Sequence, residues 1–94
     1  MFKLNGKEYK DIEITYNVVA DLEERGIDLQ DFGKGKALST IRAVIAVAFN
    51  GNIEVAGHEI NQHLLNGGKF EDLVQIVQKA VETSGFFQAL SKMS

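Results

Sequence analysis

The 94-residue chain has no cysteine, no proline and no tryptophan. Without cysteine, no disulfide can brace the fold and no thiolate can hold a metal; a reducing cytoplasm is the simplest expected compartment. Without proline, the breaks between elements fall to glycine and asparagine, and these stand in legible places. Long apolar runs are missing too. The longest, Ala43–Phe49, falls far short of the roughly 20 residues that span a bilayer. The opening MFKLNGKEYKD lacks the apolar stretch of a signal peptide. Nor is there a strong charge of one sign: the net charge of −3 gives no basic field to displace counterions from phosphate, which argues against a nucleic-acid partner. What remains is an ordinary mixture, 45% hydrophobic and 24% charged, enough for one soluble domain with one core.

Asn5-Gly6 separates FKL from KEY. Asn-Gly accepts the positive φ of a type I′ turn, whose twist suits a hairpin. That loop sets Lys3 opposite Glu8 and Phe2 opposite Tyr9, an ion pair and an aromatic pair across the ladder. A hairpin over residues 2–14 is expected, its second arm carrying Ile12 and Ile14 on one face.

A helical core over residues 15–85 follows. Thr15 can cap the first helix, where Val18, Val19 and Leu22 make the apolar stripe and Asp21, Glu23 and Glu24 face water. Gly26 is placed as the left-handed residue after that helix, with Ile27 against Leu22. The same pattern recurs as VETSGFF, which predicts Gly85 in the left-handed position and Phe86 against Val81. Between these, DLQDFGKGKALS reads as a solvated loop. Its GKGK lacks the glycine spacing and the Ser/Thr of a phosphate cradle.

The segment LSTIRAVIAVAFNG is apolar almost all round. Leu38, Ile41, Ile45 and Phe49 form one row with Val44 and Val47 beside it, so this helix is expected to be the buried hub. Asn52 can cap the next helix, striped by Ile53, Ala56, Ile60 and Leu64 and ended by Asn66-Gly67-Gly68. Gly57 inside it costs about 1 kcal/mol relative to alanine, which predicts close approach by a neighbouring helix. The last long helix repeats apolar residues at 70, 73, 74, 77, 80 and 81. The fold class is therefore α+β, mostly α: an N-terminal hairpin and about four helices around a central one. A short apolar tail over 86–94 completes it.

Residues 58–63, HEINQH, look like a zinc-peptidase box with one residue too many. Ligands on a helix must stand four apart; a five-residue step turns the second ring by about 140°, to nearly the opposite face. No third histidine completes a site, so neither metal nor other cofactor is expected. His63 in the last turn is explained by the helix dipole alone. The serines lie at helix ends or in the tail, none in a nucleophile elbow, and no catalytic residue is assigned. The two helices joined by FNGN could mimic a helix-turn-helix. The second helix, however, carries Glu54, Glu59 and two histidines with neither Lys nor Arg, a face that repels phosphate.

An interaction protein is what these exclusions leave. Phe86, Phe87 and Leu90 are the candidate contact residues: they either fold back onto the core or form an apolar anchor for a partner, in helix-in-groove fashion.

Three stretches carry a resemblance: LNGKEYKDIEITYNVVADLEERGID, IRAVIAVAFNGNIEVAGHEINQHLLNGGKFEDL and AVETSGFFQALSKM. Together, in this order and over most of the chain, they resemble the small tail assembly chaperones of long-tailed bacteriophages and prophages of Gram-positive bacteria. The resemblance implies a non-enzymatic factor of the bacterial host cytoplasm. It would coat the helix-rich tape measure protein, help tail tube protein polymerise around it, and be absent from the mature virion. Many such phages add a C-terminal extension to a minority of copies by frameshifting, and an ending at Met93-Ser94 suits the short form. Self-association is a further possibility on this reading. The alternative is a small interaction domain that regulates or inhibits a host protein.

Overall fold

Asn5 and Gly6 both take positive φ, 53° and 76°, as the type I′ turn requires. In the computed structural model, which describes residues 1–27 and 37–85, they join β1 (Phe2–Leu4) to β2 (Lys7–Tyr9). The antiparallel register pairs Phe2 with Tyr9 and Lys3 with Glu8. The strands stop at Tyr9, short of the expected residue 14. Ile12 and Ile14 are nonetheless buried, in chain that pairs with no strand among the described residues.

Helix α1 (Tyr16–Glu24) starts where the Thr15 hydroxyl accepts the Val18 N–H. It ends in a full Schellman arrangement: Ile27 N–H donates to Leu22 O and Gly26 N–H to Glu23 O, with Gly26 at φ 76°. Leu22 and Ile27 both enter the core.

Helix α2 (Ala37–Ala46) runs into a tighter 3-10 turn, Val47–Phe49. Left-handed Asn50 and Gly51 stop it, and Gly51 N–H reaches back to Ala46 O. Helix α3 (Ile53–Leu65) is capped by Asn52, whose side-chain oxygen accepts Val55 N–H at 3.1 Å. It closes with a second Schellman pair, Gly68 N–H to His63 O and Gly67 N–H to Leu64 O.

Helix α4 (Phe70–Glu82) follows at once. Its end corrects the expectation for Gly85, whose backbone is not left-handed. Hydroxyls do the work there. Thr83 donates back to Lys79 O at 2.8 Å, and buried Ser84 donates to Ile14 O, tying the end of α4 to the arm behind the hairpin.

The core gathers Leu4, Ile12 and Ile14 from the N-terminal arm with Leu22, Ile41, Val44, Ile45, Leu73 and Val77 from the helices. Helix α2 is its hub, packed on α3 and α4. Phe49 joins it to the hairpin through an edge-on contact with Tyr9, which itself stacks on Phe2. One member of the expected buried row departs: Leu38 is 72% exposed. It lies one turn before Arg42, also exposed, so one stripe of α2 faces outward. No helix among the described residues is long and apolar enough to cross a membrane.

Candidate interaction surface

Two polar and apolar constructions meet at the α3–α4 junction. The polar one is centred on His63, whose side chain is 13% exposed. The Asn5 backbone N–H donates to its Nδ1 at 2.9 Å, and Nε2 lies 3.0 Å from Asp72 Oδ2. A nitrogen that accepts an N–H carries no proton, so the ring hydrogen sits on Nε2 and is donated to Asp72. Around this pair, Asn5 donates its side-chain N–H to Glu59, Asn66 donates to Asn5, and Lys7 pairs with Glu59 at 3.4 Å.

Both carboxyls are held below their usual range. For Asp72 the first cause is the Lys69 N–H and the second the His63 bond. For Glu59 the first cause is the Asn5 amide, opposed by burial and helped by Lys7.

This cluster contains a histidine and two carboxylates, the ingredients of acid–base chemistry. Its geometry spends them otherwise: both imidazole nitrogens are engaged within the fold, leaving neither free to move a substrate proton. Gly68 completes the clasp. A Cβ there would stand 2.3 Å from His63 Nε2 and 2.6 Å from His63 O, so the ring lies where only glycine permits it. The helix-dipole account of His63 is thus replaced by a specific one: the side chain bolts the hairpin turn to α3 and α4. Its sequence signal, a histidine followed by NGG, had no visible partner because Asn5 is 58 residues away. Among the described residues, no three His, Cys, Asp or Glu side chains come together as a metal site.

The apolar construction is a groove of about 240 Å³ bounded by α2, α3 and the start of α4. Leu38, Ile41, Gly57, Ile60, Leu64, Phe70 and Leu73 line it, with Ser39 and Arg42 on the α2 side. Phe70 and Leu64 are 43% and 38% exposed, and Leu65 beside them is more open still. Gly57 is the low point of its floor. A Cβ there would meet only Arg42 Cδ, at 3.5 Å, an ordinary contact. The neighbouring helix α2 thus reaches Gly57 through the Arg42 side chain, at a distance that a Cβ would tolerate.

Phe86, Phe87 and Leu90, the sequence-based contact candidates, lie outside the described residues. The groove was missed because Leu38 and Leu64 belong to apolar stripes that read as core. No protein-family model, curated protein or solved structure matches the chain.

Proposed function

We propose that this protein is a non-enzymatic assembly chaperone of a long-tailed phage or prophage, acting in the host cytoplasm on the tape measure protein. One observation carries the reading: an open apolar groove lined by Leu38, Ile60, Leu64 and Phe70 on an otherwise well-packed helical domain. A small protein keeps such a patch uncovered at a cost in solubility, and covering another chain's apolar surface is the common use for one. A tape measure protein presents long apolar helical stripes before the tail tube encloses it. The order of sequence elements, from LNGKEYKDIEITYN to AVETSGFFQALSKM, supports the same assignment. The tail residues Phe86, Phe87 and Leu90 supply a second apolar contact on this reading.

Co-expression tests it directly. The tape measure protein of the same phage should stay in the supernatant with this chain and pellet without it. Phe87→Ser with Leu90→Ser should reduce co-purification while leaving helical circular dichroism unchanged. A tape measure protein equally soluble with or without the chain sinks the assignment.

A further inference from the structure

The groove has a chemical bias as well as an apolar lining. Among the described residues that line it, Arg42 alone is charged, exposed at the rim with its stem over the backbone of Gly57. Its guanidinium takes part in none of the ion pairs or hydrogen bonds of the described residues. A second concavity among the described residues, between α1 and α2, contains both Asp21 and Arg25 and so favours neither sign.

The occupant's backbone is constrained as well. Arg42, Gly57 and Ile60 lie inside helices, where N–H and C=O groups are already bonded along the helix. An extended guest would find no main-chain partners along these residues, only the first-turn N–H groups near Leu38 and Phe70 at the groove's ends, and would bury much of its own backbone unsatisfied. A helix brings its hydrogen bonds with it. The volume of about 240 Å³ also lies below the roughly 300–1,000 Å³ usual for drug-sized ligands, and suits a few side chains from one helical face.

We infer that this groove receives an amphipathic helix of the partner, with a carboxylate beside its apolar stripe set to meet Arg42. The inference rests on the chaperone reading only for the partner's identity; the recognition chemistry stands apart from it. Charge complementarity fixes which helices are taken and in which orientation, while Leu38, Leu64 and Phe70 supply the grip.

Two labelled peptides of about 18 residues, long enough to hold helix, provide the test by fluorescence anisotropy. They share one apolar stripe and differ in a flanking Glu or Lys. The intact protein should bind the Glu peptide about three- to tenfold more tightly, the range for a rim ion pair exchanged for a repulsion. Arg42→Glu should reverse the order. Gly57→Leu, which fills the floor, should weaken both peptides, and so should Leu38→Ser, which removes an exposed wall without touching the core.

Equal affinities before and after Arg42→Glu overturn the inference. So does binding that ignores both Gly57→Leu and Leu38→Ser, or displacement of the peptides by decanoate at lower concentration than by unlabelled peptide. The two readings fail separately. Peptides behaving as expected with an unsolubilised tape measure protein would leave the groove and remove the chaperone; solubilisation unaffected by all three substitutions would do the reverse.

Discussion

From its place in α3, His63 holds two further segments with one ring: the hairpin turn through Nδ1 and the start of α4 through Nε2. Replacing it with phenylalanine keeps the bulk and removes both bonds. The Asn5 N–H is then left without its acceptor in a partly buried place, which costs about 1–3 kcal/mol. Urea unfolding should register that loss, and the Asn5 amide should exchange faster with solvent than other turn amides. The two glycines nearby respond oppositely to alanine. At Gly68 the new methyl collides with the ring and with backbone, so a loss of about 1–3 kcal/mol from overpacking is expected. At Gly57 there is room, and Gly57→Ala should gain up to about 1 kcal/mol through helix propensity. Thermal melts of the pair separate these signs. The carboxylates add a pH term. Glu59 and Asp72 titrate below their unfolded values, so their contribution is present at neutral pH and lost as pH falls through the folded values. The denaturation midpoint should therefore drop below about pH 4.5, and less so in Asp72→Asn.

Among the elements, the hairpin and the helix starts were legible because their causes are local. Asn5-Gly6, Thr15 and Asn52 each act within three residues, and each sits where the residue type predicts. Helix endings were half legible. Gly26 behaves as read, while Gly85 does not, because Thr83 and Ser84 settle the end of α4 with hydroxyl bonds, one reaching to Ile14, 70 residues away. Burial on α2 was illegible in one respect. Leu38 and Ile45 are both aliphatic members of one apolar row, and only the packing of α3 and α4 decides which is covered. Truncation exposes the difference: Ile45→Ala should cost about 2–5 kcal/mol, and Leu38→Ala within about 0.5 kcal/mol of zero, as read from denaturant midpoints.

For the whole molecule, the fold class follows from pattern, yet the candidate site follows from assembly. Three helices must be in place before Leu38, Ile60, Leu64 and Phe70 form one surface. No single stretch of sequence contains that surface, which is why the apolar tail drew attention first. Its other neighbour, the clasp, has a consequence in time. Synthesis delivers the hairpin first, but a two-stranded ribbon alone is marginal in water, and its fastener arrives 58 residues later. At roughly 5–20 residues per second the ribosome takes about 3–12 s to supply it. The hairpin turn therefore stays unclasped until the third helix has emerged, whatever its strands have met before then.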